Sequence, residues 1–236
     1  MLNSATLYTQ STQFKEDPPM ALAIFDLDNT LLGGDSDHAW GEFLVEQQLV
    51  DVEYYRQKND EFYRQYCEGG LDIDAYLRFA LQPLKGKTPA ELAPLHQQFM
   101  QSHIQPLMLP KAIALIEKHR AAGDRLLIIT ATNSFITTPI AKALGIEELM
   151  ASDAELIQGQ YTGAPSGIPC FQEGKVVRLK EWLQHNKESL VGSYFYSDSH
   201  NDLPLLKQVE TPVAVDPDDR LRAYAEQHNW QILSLR

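Results

Sequence analysis

Short, nearly continuous apolar runs alternate with amphipathic segments along most of this chain. Ala21–Phe25 (ALAIF), Arg125–Ile129 (RLLII), Ser193–Tyr196 (SYFY) and Pro212–Val215 (PVAV) have the pattern of strands buried on both faces of a parallel sheet. Gln231–Leu235 reads as a short edge strand, and Glu155–Thr162, with Gly159 near its centre, as a hairpin. Lys111–Ala122, Ile136–Leu144 and the segment EGKVVRLKEWL, with Val176, Leu179, Trp182 and Leu183 on one stripe, follow a helical period. Strand and helix in alternation predict an α/β fold: a three-layer, Rossmann-like core with a mostly parallel sheet and right-handed crossovers.

The stretch between Asp35 and Pro106 breaks that alternation. Glu42–Gln48, Tyr54–Gln65, Ile73–Leu81 and Pro89–His103 read as helices, punctuated by Gly69, Gly70, Pro83 and Gly86, with no legible sheet strand. The expected organisation is a core of residues 20–35 and 106–236 interrupted by a helical insertion, 36–105. Residues 1–19 are polar, end in Pro18-Pro19 and lack the apolar stretch of a signal peptide. They read as a flexible N-terminal extension, with Met20 a candidate natural start.

Two of the predicted strands end in carboxylates. Asp26 and Asp28 follow the first one, with Thr30 beyond them (FDLDNT). Residues two apart on a strand face the same side, and the C-terminal edge of a parallel sheet is where ligands bind. Two carboxylates this close raise the pKa of one of them or recruit a cation. Asp and Asn are also ordinary turn residues, and this pair taken alone is more readily explained as a turn. The run ending at Tyr196 leads into SDSHNDL, where Asp198 and Asp202 offer hard oxygen ligands of the kind Mg²⁺ prefers. Arg125–Ile129 leads to Thr130, whose hydroxyl can meet a phosphate oxygen. Lys175, at the start of its helix, can act as a point charge on a phosphoryl group.

DxDxT, strand–Thr, Lys, and strand–D(x)₃D, in this order from about Leu22 to Asp216, resemble the haloacid dehalogenase superfamily of phosphohydrolases. The resemblance implies Asp26 as nucleophile and Asp28 as general acid and then base. It implies Thr130 and Lys175 as phosphate holders. Mg²⁺ would be held by Asp26, the Asp28 main-chain carbonyl and Asp198, with Asp202 supporting the metal shell. An insertion directly after the first motif implies a helical cap over the site. The segment between Thr130 and Lys175 is too short for a second large cap.

Within the superfamily, the chain resembles phosphoserine phosphatases and histidinol-phosphate phosphatases. Asp35 falls where the former carry a glutamate for the substrate ammonium. Ala80 falls where they carry an arginine for the serine carboxylate, and Arg78, two residues earlier, projects elsewhere on a helix. Their Ser-Gly-Gly is Thr130-Ala131-Thr132 here. Residues 35–105 contain twelve acids against six bases, which favours a cationic substrate tail even though many acids simply solvate helix faces. The expected substrate is a small phosphorylated metabolite, histidinol phosphate before phosphoserine. Transfer of the phosphoryl group to an alcohol and a non-enzymatic binding role are the competing readings.

Composition narrows the remaining classes. A chain of 236 residues with 44% apolar content suits one core plus an insertion. No apolar run approaches the ~18–20 residues of a membrane span, so no membrane association is expected. The net charge of −12 argues against a nucleic-acid partner. Cys67 and Cys170 lie far apart in no metal or redox spacing, which fits a cytoplasmic protein. His38 and His200 flank the acidic motifs and read as polar loop residues. Oligomeric state is not legible.

Overall fold

A computed structural model describes residues 21–236. The expectation for residues 1–19 and Met20 lies outside the described residues. The chain runs β1 (Leu22–Phe25), α1 (Ser36–Glu46), α2 (Val52–Glu68), α3 (Ile73–Leu81), α4 (Pro89–Phe99), α5 (Pro110–Ala122), β2 (Arg125–Asn133) and α6 (Ser134–Ala143). It continues through β3 (Glu148–Ile157), β4 (Gln160–Ser166), α7 (Glu173–Asn186), β5 (Tyr194–Ser197), α8 (Leu203–Leu206), β6 (Thr211–Val215), α9 (Asp219–Gln227) and β7 (Gln231–Leu233).

Seven strands form one sheet in the order β4-β3-β2-β1-β5-β6-β7. All neighbouring pairs are parallel except β3–β4, so β4 is an antiparallel edge. This is the α/β, mostly parallel architecture the strand pattern predicts. β1 lies at the centre because it is buried throughout, and its central place brings Asp26 to the middle of the sheet's C-terminal edge. The hairpin turns on Gln158 and Gly159, both with positive φ. Its first strand starts earlier than the hairpin predicted from sequence: the Glu148–Met150 end pairs in parallel with β2 before the strand turns into the ribbon.

Two apolar clusters flank the sheet. One gathers Ile24, Leu127, Ile129, Phe195, Leu179 and Leu221 beneath α7 and α9. The other, larger one holds Phe25, Ile128 and Ile136 together with Trp40, Phe43, Leu77, Leu92 and Phe99 from the helices after β1. Trp40 sits edge-on to Phe99 and to Phe135, at 5.0 and 5.3 Å between ring centroids. The helical insertion and the sheet therefore share continuous packing through α1.

Helix boundaries differ from the sequence pattern in two informative places. α1 begins six residues before Glu42, because Asp35 caps it: the Asp35 carboxylate accepts from the backbone N–H groups of Asp37 and His38. The helix predicted over Pro89–His103 is α-helical only to Phe99 and continues as a π-turn over Met100–Ile104. Leu92, His96 and Phe99 are buried at helical spacing, and the next buried residue is Ile104, five positions on. A π-turn absorbs that extra residue and keeps Ile104 on the buried face.

Candidate active site

The C-terminal ends of β1, β2 and β5 carry the acids and hydroxyls singled out above. The Asp26 N–H donates to the Tyr196 carbonyl at 2.9 Å, so the ladder holds up to the first acid. Lys175 reaches in from the first turn of α7. Its ammonium is buried and donates to Asp26 Oδ1 at 2.9 Å and to Asp202 Oδ2 at 2.8 Å. Gly174 makes this approach feasible: a Cβ there would lie 2.0 Å from the Pro169 carbonyl oxygen. Ser197 donates to Asp202 at 2.7 Å, fixing the second acid against the lysine.

Asp28 is held on both oxygens. Oδ1 accepts the Ser36 N–H at 2.7 Å, and Oδ2 accepts the Thr132 hydroxyl at 2.8 Å and the Thr130 hydroxyl at 3.4 Å. Thr30 ties the first motif to the last: its hydroxyl donates to Asp198 Oδ1 at 3.0 Å and accepts the Asp198 N–H at 3.1 Å.

The electrostatics of this cluster are dominated by burial. Desolvation raises the Asp26 carboxyl to about 7, with Lys175 pulling it down and Asp202 and Asp28 pushing it up. Burial and the Asp35 charge raise Asp28 to about 6 against its hydrogen bonds to Ser36 and Thr132. Asp198 is pushed well above the carboxylate range by burial and by Asp26. Burial pushes the Lys175 ammonium down. Asp202 and Asp26 more than offset that and hold the ammonium charged. Each acid is raised first by burial and then by the negative charge crowded around it.

That imbalance, and a donor set made only of oxygens, fits a hard cation beside Asp26 and Asp198. Among the described residues, no three or more His, Cys, Asp or Glu side chains form a ready-made metal cage. A cation here would take the Asp26 and Asp198 carboxylates, the Asp28 carbonyl and waters.

A cavity opens over the cluster, with about 710 Å³ of empty space including its mouth. Asp26, Asp28, Asp35, Thr130, Lys175 and Asp202 all line it, so six of the seven residues expected from sequence converge there. Asp198 is not among the lining residues and meets the cluster through Thr30. Asp35 lies in the cavity wall as expected, but Oδ1 of its carboxylate is engaged in capping α1. His38, expected in a loop, sits in α1 and lines the cavity, its Nδ1 at 2.6 Å from the Asn59 amide nitrogen. His200 lies outside the cavity lining and pairs with Asp218 at 2.8 Å. Arg78 projects from α3 onto a different groove, beside Tyr54, Lys58 and Gln82, and Ala80 is buried.

Several cavity residues escaped the sequence reading. Thr132 appeared there only as a departure from a family pattern, and Asp37 and Tyr76 not as site residues. The α2 wall is formed by Asn59, Phe62, Tyr63 and Tyr66. Their i, i+3, i+4, i+7 spacing was a readable stripe, the signal of one helix face turned inward.

Residues 23–207 match the family of haloacid dehalogenase-like hydrolases. A histidinol-phosphatase of Neisseria meningitidis serogroup C is 45% identical over 91% of this chain and 99% of its own length. A phosphoserine phosphatase of Mycobacterium tuberculosis is 32% identical over 93% of this chain and 73% of its own. A crystal structure of a Bordetella pertussis protein of unknown function superposes with a TM-score of 0.86 at 42% identity, covering 92% of this chain and 99% of that one.

Proposed function

This chain belongs to the haloacid dehalogenase-like hydrolases and is a phosphatase of phosphate monoesters, and we propose that it hydrolyses histidinol phosphate through an aspartyl-phosphate on Asp26 with Mg²⁺ as cofactor. In the first step the free oxygen of Asp26 attacks phosphorus in line. The ester P–O bond breaks, and the leaving alkoxide takes a proton from Asp28. In the second step Asp28 receives a proton from water as the water oxygen attacks phosphorus. The acyl-phosphate bond breaks, regenerating the Asp26 carboxylate and releasing phosphate. Covalent catalysis of this kind divides one difficult displacement into two.

The chain's own groups suit these roles. Lys175 on Asp26 Oδ1 orients the carboxylate so that its other oxygen is free to attack. A carboxyl raised to about 6, as in Asp28, exchanges protons readily near neutrality. Thr130 and Lys175 both line the cavity wall, and on this reading they receive the phosphoryl oxygens. Mg²⁺ held by Asp26, Asp198 and the Asp28 carbonyl would neutralise phosphoryl charge, and it prefers all-oxygen sites that keep water. Asp202 holds Lys175 in place. The helices between β1 and β2 act as the cap, with α2 excluding water from the cavity.

One observation carries the substrate choice: five aspartates and a single lysine line the cavity, with no arginine among the lining residues. Histidinol phosphate brings an ammonium and an imidazole and no carboxylate. Phosphoserine brings a carboxylate that nothing in this wall would receive, although the mycobacterial relative is named for that substrate. Steady-state assays with Mg²⁺ across a panel of small phosphate esters test the reading. The expected result is a kcat/KM at least about tenfold higher for histidinol phosphate than for phosphoserine, the scale of one lost charged contact. Comparable values for the two would overturn it.

A further inference from the structure

We propose that Asp37, rather than Asp35, is the carboxylate that receives the cationic group of the substrate. The inference rests on the phosphatase reading above and assigns the specificity of that same site to a residue the family resemblance did not single out.

Asp35 and Asp37 both line the cavity at the start of α1, but their carboxylates are in different states. Asp35 is the helix cap, with Oδ1 accepting two backbone N–H groups at 2.9 Å each. Losing this cap would cost the helix about 1 kcal/mol, so Oδ1 is already committed to it. Asp37 is 5% exposed, and its Oδ2 is fully buried without a hydrogen-bond partner. A first-turn acid gains from the helix dipole while remaining solvated at the surface. That benefit gives no reason to bury the carboxylate and leave one oxygen unsatisfied, which is costly in any fold.

The surroundings of Asp37 point to a cation as its missing partner. Burial raises its carboxyl to about 8, the charges of Asp35 and Asp28 add to the rise, and the Tyr76 side chain lowers it through a hydrogen bond. Among the described residues, no lysine or arginine side chain pairs with it, and the one lysine lining the cavity, Lys175, is engaged by Asp26 and Asp202. Phe62, Tyr63 and Tyr76 stand in the same wall, and aromatic faces favour a cation once water is excluded. Asn59 and His38, hydrogen-bonded to each other, fix the adjoining part of α1 against α2. A primary ammonium or a protonated imidazole entering this wall would satisfy Asp37 Oδ2 and neutralise it, while the phosphoryl group lies at Asp26.

The test compares an aminated ester with its neutral counterpart, phosphoethanolamine with ethyl phosphate, alongside histidinol phosphate. Wild type, Asp37→Asn and Asp35→Asn are assayed as full-length protein, and the readout is the ratio of kcat/KM for the aminated over the neutral ester. The expected result is a preference for the aminated ester in the wild type. That ratio falls at least tenfold in Asp37→Asn, mainly through KM, and persists in Asp35→Asn. Asp37→Ser is read in the same way if the amide variant melts early. A wild type without the preference, an Asp37 variant that retains it, or its selective loss in Asp35→Asn would each overturn the inference. Failure of histidinol phosphate as best substrate, with the ratio still collapsing in Asp37→Asn, would instead overturn the substrate reading and leave Asp37 as the cation site.

Discussion

Lys175 is the side chain on which the charge balance of the site turns. It lies between Asp26 and Asp202 as a buried ion triplet, and breaking such a group leaves uncompensated carboxylates rather than simply removing a contact. Lys175→Met, close in length but uncharged, is expected to lower kcat by about 10²–10³, the range for losing one preorganised charge-stabilising donor. Steady-state kinetics on histidinol phosphate with Mg²⁺ measure it. Activity within a few-fold of wild type would remove Lys175 from the proposed mechanism. The placing of these residues was largely legible in the sequence: Asp26 follows β1, Lys175 lies in the first turn of α7, and Asp28 and Asp202 lie in the loops after β1 and β5, whereas Thr130 sits inside β2, which runs past the predicted strand end at Ile129. Asp37 was not legible. Its importance comes from burial and an unpaired oxygen, which depend on α2 and α3 closing over it.

Among elements, α4 and its π-turn show how the insertion is fitted to the core. His96 on α4 is buried against Trp40 and Phe135, and its Nε2 has no hydrogen-bond partner. Burial lowers its pKa below the ordinary imidazole range. The folded protein therefore resists protonation at His96 while the unfolded chain accepts it near pH ~6.5. The unfolded state binds more protons below that value, so stability is full above it and declines as pH falls towards the folded pKa. Denaturant melts of wild type and His96→Leu from pH 7.5 to 5 should show the difference in stability shifting in favour of the leucine variant as pH falls. A pH-independent difference would mean that His96 is not held neutral. The element pattern explains what sequence could and could not show here. Ile73–Leu81 was read with its observed bounds, since Asp72 caps it and its apolar positions repeat at helical spacing. The early start of α1 and the π-turn were not legible, because one needs the Asp35 cap and the other is a five-residue step inside a segment whose pattern reads as continuous helix.

At the scale of the whole molecule, the proposed reaction belongs to the sheet and the proposed choice of substrate to the helices after β1. Asp26, Lys175 and Asp202 come from the end of β1, α7 and the loop after β5, whereas Asp37, Asn59, Tyr63 and Tyr76 come from α1, α2 and α3. The two sets are tied together at their edge. Asn201 donates to the Tyr66 carbonyl at 3.2 Å, and Arg220 donates to the Glu68 carbonyl at 3.0 Å. The end of α2 is thus held down on the loop that carries Asp202. The mostly parallel order followed from apolar runs alone, while the strand order that puts β1 at the centre came only with the structure. The meeting of α2 with the core was not legible, because it joins residues more than a hundred positions apart through backbone carbonyls that no side-chain pattern reports.

The claim that a phosphoryl group passes through Asp26 is tested most directly by trapping it. The full-length protein is mixed with histidinol phosphate and Mg²⁺, quenched during turnover and reduced with borohydride, which converts an aspartyl-phosphate to homoserine. Peptide mass spectrometry should find homoserine at position 26 in the wild type. It should find none without substrate and none in Asp26→Asn. Turnover of histidinol phosphate with position 26 unmodified, or with the conversion at another aspartate, would contradict the account.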